Sequence, residues 1–147
     1  ENYKYLIPAS DQEILELIAS YIPPSLPIRL ETESAKDFLS ISKFSIVTSG
    51  TATLESAILG VFPIICYKTN PINYFIISRM LKVDNIGLPN LLLGGRKFPE
   101  LIQRNCNPIS INAASKEIQD MQSVSAQLRE LLIGKTEEEY INAILKL

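Results

Sequence analysis

Between residues 44 and 68 the chain reads apolar, then small, then apolar again: FSIVTS, SGTATLESAILG and FPIICYK. The β-branched and aromatic run at 44–49 predicts a buried strand, and the denser run at 62–68 predicts another. Residues 51–60 join them as a short helix. Towards the N-terminus, YKYLIPA (3–9) predicts a strand ending at Pro8. SDQEILELIASYI (10–22) predicts a helix with Ile14, Leu15, Leu17, Ile18 and Tyr21 on its apolar face, Ser10 as cap and Glu13 at the capping-box position. PIRLET (27–32) follows as a strand, and SAKDFLSIS (34–42) as a short helix with Ala35, Phe38, Leu39 and Ile41 inward.

Beyond residue 68 the pattern turns increasingly helical. NPINYFIISRMLKV (70–83) opens with Asn70 as cap and Pro71 at the first helical position. Its apolar residues wrap most of the circumference, so it either packs on both sides or touches a partner subunit or a membrane. NIGLPNLL (85–92) predicts a short strand running into a loop, and FPELIQR (98–104) a helix starting at Pro99, with Glu100 as a helix-favoured residue. Three further helices are expected at 110–121, 123–134 and 136–147, the last with Thr136 as cap and Glu139 three residues on.

Strands alternating with helices imply an α/β domain, a mostly parallel sheet with helices on both faces, followed by a helical tail over 108–147. Ligands of such sheets sit outside the carboxyl ends of the strands. Ser49, residues 67–70 and residues 88–90 therefore fall on one rim.

Composition narrows the chemistry. The 147 residues are 46% hydrophobic and 20% charged, enough for one domain with a real core. A net charge of −2 gives no electrostatic grip on nucleic acid. The two cysteines, Cys66 and Cys106, have no CxxC spacing, suit a reducing cytoplasm, and leave Cys66 reading as core filler inside 62–67. No apolar run is long enough to span a membrane. The chain has 0 histidines, so it holds no Ser-His or Cys-His nucleophile pair and no HExxH zinc site, and no metal-ligand cluster is evident. Any imidazole base must come from outside these residues.

Ser49, Gly50 and Thr51 form a small-residue corner entering a helix, which lets backbone N–H groups approach an anion beside the positive end of the helix dipole. The corner is either a phosphate seat or an ordinary helix cap. No Walker A or GxGxxG motif accompanies it. If Thr51 is the cap, Glu55 stands one place too late for a capping box and shares a helix face with Thr51. There it either accepts hydrogen bonds from a vicinal diol such as a ribose, or is a solvated carboxylate near a helix start. Asn90 either reads a polar ligand edge or forms a turn. Arg96, in the Gly94-Gly95 loop, either reaches a phosphate or is an exposed loop arginine.

Taken in order, SGTATLESAILGVFPIICYK, then NP with an apolar helix, then IGLPNLLLGGRKFPELIQ resembles the C-terminal half of the lipid-A-disaccharide synthases, bacterial glycosyltransferases of the GT-B fold. The similarity covers roughly 44–106. It implies a partial C-terminal nucleotide-sugar domain over 1–147, with the acceptor-binding N-terminal half and its catalytic base outside this chain. The family transfers 2,3-diacylglucosamine from its UDP donor to 2,3-diacylglucosamine 1-phosphate, with inversion and without a cofactor, giving the β-1,6 disaccharide and UDP. The resemblance implies Ser49, Gly50 and Thr51 at the diphosphate, Glu55 at the ribose, Asn90 at the nucleotide or donor sugar, and Arg96 in the same donor region. It also implies a protein peripheral to the cytoplasmic face of the inner membrane, homodimeric at full length, and a fragment inactive alone. Two departures stand out. Asn90 and Arg96 are one residue further apart than in the family's PNLLAGR, and Lys68 replaces a common arginine, which keeps the charge but loses the bidentate fork. Alternative readings are the nucleotide half of another GT-B enzyme or of a UDP-sugar epimerase, and, more remotely, a non-enzymatic doubly wound binding module.

Overall fold

The computed structural model describes residues 4–32, 34–48, 50–70 and 85–133, which fall into two compact units divided after Ser42. In the first unit, strand β1 (Tyr5–Pro8) leads through helix α1 (Gln12–Tyr21) to strand β2 (Ile28–Glu31) and helix α2 (Ala35–Ser40). β1 and β2 pair in parallel, Tyr5 opposite Ile28 and Pro8 opposite Glu31, so a helix must cross between them. Ala9 and Phe38 are buried. The cap of α1 is Asp11 instead of Ser10: its carboxylate accepts from the Ile14 N–H at 2.9 Å, and the Ser10 hydroxyl donates to Asp11 at 2.8 Å. A carboxylate outcompetes a hydroxyl at a helix start because it also meets the dipole, and the same bond holds the Asp11 carboxyl below its ordinary 3.8.

The second unit carries a three-stranded parallel sheet in the order β3 (Phe44–Thr48), β4 (Phe62–Tyr67), β5 (Glu100–Ile102). Every residue of β4 is buried except Tyr67, as expected of a central strand covered on both faces. Proline at its second position is tolerated for a geometric reason. Phe62 donates its N–H to Lys43 on the β3 side, and Ile65 donates to Pro99 on the β5 side, so position 63 faces the side of β5 before that strand begins. The missing N–H of Pro63 costs no ladder bond.

Helix α3 (Thr51–Ile58) crosses from β3 to β4. Its buried face is made of Thr53, Ser56 and Ala57, small enough to lie close to the sheet. The two hydroxyls bond back to the helix's own carbonyls, Thr53 to Gly50 at 2.6 Å and Ser56 to Ala52 at 2.9 Å, so neither hydroxyl is orphaned by burial. Helix α4 (Leu88–Leu92) precedes β5, and a 3-10 turn (Gln103–Asn105), α5 (Pro108–Ala114) and α6 (Gln122–Leu132) follow it. The core gathers Ala57, Phe62, Ile64, Ile65, Phe98, Met121 and Leu128, with the Phe62 and Phe98 rings edge to face at 5.6 Å.

The far end of α3 is held by α6. The Ser125 hydroxyl lies 2.8 Å from the Ala57 carbonyl, and the Arg129 guanidinium donates to the Ile58 carbonyl at 3.1 and 2.7 Å. These are the carbonyls a helix terminus leaves without intrahelical partners.

Three expectations are corrected. Residues 88–92 are helical where a strand into a loop was expected, because Gly87 and Pro89 suit a helix start. Residues 100–102 are a strand where Pro99 suggested a helix, because Leu101 and Ile102 complete the sheet against Cys66 and Tyr67. The helix expected at 110–121 starts earlier, capped by Asn107, and stops at Ala114. The helices expected at 70–83 and 136–147 lie outside the described residues, apart from Asn70.

Candidate functional site

Because all three strands of the second unit run in parallel, their carboxyl ends form one rim. β3 exits there towards Gly50, β4 into Lys68 and Thr69, and β5 into Gln103.

Gly50 is the cap of α3, one residue before the expected Thr51. Its φ of 145° and ψ of −164° belong to a region that only glycine occupies readily. A Cβ built there meets nothing within 4 Å, so glycine serves the backbone conformation and leaves the corner open. No side chain caps the helix start. The arrangement offers backbone N–H groups and the positive end of an eight-residue helix to whatever approaches. Ser49 lies outside the described residues.

Thr51 is exposed and Glu55 half-buried. Helical periodicity puts the two on the face opposite the buried Thr53, Ser56 and Ala57. Glu55 thus stands one turn above the open corner, on its accessible side, and already engages in an interaction within the protein.

Asn90 has a different environment. It is fully buried, and its amide is saturated. Nδ2 donates to the Phe98 carbonyl at 3.0 Å and to Glu100 Oε1 at 2.8 Å, while Oδ1 accepts the N–H groups of Lys97 and Phe98, both at 2.9 Å. Two donors and two lone pairs are all an amide has. Asn90 therefore ties helix α4 to the loop leading into β5. Arg96 is exposed, and its Nη2 donates to the Glu100 carbonyl at 2.8 Å.

The residue at the centre of this framework is Glu100, which sequence reasoning passed over as a helix former. It is 3% exposed, and its carboxylate accepts three bonds: from the N–H of Ile86 and of Gly87, each at 2.9 Å, and from Asn90. Three amide donors satisfy this buried carboxyl group. Close approach requires glycine at 87, where a Cβ would stand 2.3 Å from Ile65 Cδ1 and 3.1 Å from Glu100 Oε1. A charged residue inside the otherwise apolar Phe98 to Ile102 was the available signal.

Gln103 was also missed. Its side chain brackets the backbone of Thr69: Oε1 accepts the Thr69 N–H at 2.8 Å, and Nε2 donates to the Thr69 carbonyl at 3.0 Å.

Cys66, at the end of β4, fits its reading as core filler. Burial first, then the neighbouring Cys106 thiol, pushes it from 9.0 up to about 12, which leaves it protonated and unreactive at neutral pH. Among the described residues no group of His, Cys, Asp or Glu could hold a metal ion. No helix among them is long and apolar enough to cross a membrane.

Comparison with known proteins adds an independent line. A family model described as lipid-A-disaccharide synthetase matches residues 1–144. The lipid-A-disaccharide synthase of Sulfurihydrogenibium sp. (strain YO3AOP1) is 36% identical over 90% of this chain and 37% of the relative. That of Wigglesworthia glossinidia brevipalpis is 37% identical over 73% of the chain and 29% of the relative. That of Neisseria meningitidis serogroup A is 34% identical over 76% of the chain and 30% of the relative. The chain thus spans about a third of these proteins' length.

Proposed function

The chain belongs to the lipid-A-disaccharide synthetase family, and on that premise we propose that it is the part of such an enzyme that binds the UDP-sugar donor. The observation that carries the reading is the open Gly50 corner at the start of α3, with Thr51 and Glu55 stacked on the accessible face above it. In this reading the corner, with Ser49, Gly50 and Thr51, receives the diphosphate, whose charge the helix N-terminus stabilises. The Glu55 carboxylate accepts hydrogen bonds from the ribose hydroxyls. Asn90 contributes by holding the loop at 95–98 in place, and Arg96 belongs to the donor side of the site in this reading.

The complete enzyme would then transfer 2,3-diacylglucosamine from UDP to 2,3-diacylglucosamine 1-phosphate. An acceptor hydroxyl, deprotonated by a base outside this chain, displaces UDP with inversion at the anomeric carbon. Charge developing on the departing diphosphate falls at the α3 N-terminus, where fixed N–H dipoles need no reorganisation to meet it. The acylated substrates would keep the whole protein against the inner face of the inner membrane.

Calorimetric titration of the 147-residue chain with UDP, and separately with ADP, tests the reading. UDP should bind in preference to ADP, and Glu55→Ala should weaken UDP by roughly tenfold, the scale of one or two hydrogen bonds to a charged group. Because Glu55 lies off the buried face of α3, its loss should leave the fold intact. Equal affinity of the variant and the unsubstituted chain would sink the ribose assignment.

A further inference from the structure

Gln103 is, among the described residues, the one non-glycine residue with a positive φ, 51°. Glutamine rarely takes the left-handed region, and residues held there against their preference concentrate where a site needs a fixed geometry. The strained turn has a visible result. It carries the Gln103 side chain across from the end of β5 to the end of β4, where both halves of its amide bond the N–H and C=O of Thr69 at 2.8 and 3.0 Å. The amide thereby imitates one more residue of β-ladder beyond the point where the backbone pairing of Tyr67 with Ile102 stops.

The clamped residue lies on the rim proposed to hold UDP. β3 and β4 are paired in register up to Thr48 opposite Cys66, so the exit of β4 at Lys68 opens on the same end of the sheet as the start of α3 at Gly50. Lys68 is exposed and follows directly on β4. We infer that Gln103 is a positioning residue for the anion site: by fixing the backbone of Thr69 it holds Lys68 beside the open Gly50 corner, where its ammonium adds a cation to the helix N-terminus. This rests on the donor-binding reading above and extends it to the β4 exit.

The test uses the 147-residue chain with Gln103→Asn and Gln103→Glu. Asparagine keeps an amide and tolerates positive φ better than glutamine, but is one methylene too short to reach Thr69. Glutamate keeps the length but has no N–H to give the Thr69 carbonyl. Melting temperature, amide hydrogen exchange at Thr69 and UDP affinity are measured together. Both variants should melt near the unsubstituted chain, with Gln103→Asn the more stable of the two. Thr69 should exchange faster in Gln103→Asn, which loses the acceptor of its N–H, and UDP affinity should fall about tenfold in both variants, the scale of one lost hydrogen bond and a displaced charge. A merely structural glutamine would not give Gln103→Asn unimpaired stability together with lost affinity. If the unsubstituted chain binds UDP and both variants bind it equally well, or if Thr69 exchange does not respond, the role of Gln103 is refuted while the nucleotide reading survives. If the unsubstituted chain does not bind UDP, the nucleotide reading falls and this inference falls with it.

Discussion

Replacing Asn90 by alanine separates a framework amide from a ligand contact. The substitution removes four hydrogen bonds at a residue with 0% exposure, so no water takes their place. A net hydrogen bond contributes about 1 kcal/mol, but a buried group left unpaired costs about 1–3 kcal/mol. The Phe98 N–H and carbonyl, both at a residue 2% exposed, are left in that state. The expected loss is therefore about 3–5 kcal/mol, a large share of the 5–15 kcal/mol available to a typical domain. Asn90→Asp sharpens the test. It preserves shape but removes both donors and sets a second carboxylate where Nδ2 now lies 2.8 Å from Glu100 Oε1. Two carboxylates so close cannot both ionise, so the folded state retains a proton that the unfolded state releases at neutral pH. The affinity of the pair for that proton is raised by folding. Stability of Asn90→Asp should therefore fall as pH rises from 5 to 8 and recover on acidification, relative to the unsubstituted chain. Guanidinium unfolding followed by circular dichroism at several pH values reads both effects. A loss below about 1 kcal/mol in Asn90→Ala, or a pH-independent Asn90→Asp, would show that the amide does not carry this framework.

Two other outcomes follow from the same geometry. Gly87→Ala should destabilise by about 1–3 kcal/mol in the same unfolding assay, because its Cβ would stand 2.3 Å from Cδ1 of the fully buried Ile65 and 3.1 Å from Glu100 Oε1, so packed side chains must shift to admit it. A neutral result would mean that the Gly87 to Glu100 contact is looser than its geometry indicates. For Cys66, folding raises the thiol from 9.0 to about 12, so the folded state keeps its proton while the unfolded state releases it. The stability it contributes is complete below pH 9 and is lost as pH rises towards 12. Comparing the pH dependence of the parent with that of Cys66→Val isolates this contribution, whose slope should not exceed about 1.4 kcal/mol per pH unit. Parallel curves would contradict it.

The local signals of the sequence were enough for much of this protein. The dense run at 62–67 could be nothing but a covered strand, and the small residues between it and the preceding strand required a helix lying close to a sheet. Glycine at 50 marked the corner, and the spacing of Glu55 placed it on the face of Thr51, because helical periodicity alone decides which side chains share a face. The order of motifs from Ser49 to Gln103 also pointed to the family that the comparisons established. Where the sequence misled, the deciding partner was distant. Pro99 looked like a helix start, yet Glu100 to Ile102 gain more by completing the sheet on β4 than by turning alone. Glu100 looked like a helix-favoured residue, and became the acceptor for Ile86, Gly87 and Asn90 only once the chain before and after α4 was folded back on itself. Asn90 had the composition of a turn or a ligand contact, and its saturation by Lys97, Phe98 and Glu100 is visible only in three dimensions. The Gln103 bracket on Thr69 spans 34 positions of sequence, a separation at which no local pattern operates. Periodicity and caps are set by neighbours a few residues apart, and so are written in the sequence. The partners of a buried polar side chain are set by which segments meet, and that is decided by tertiary structure.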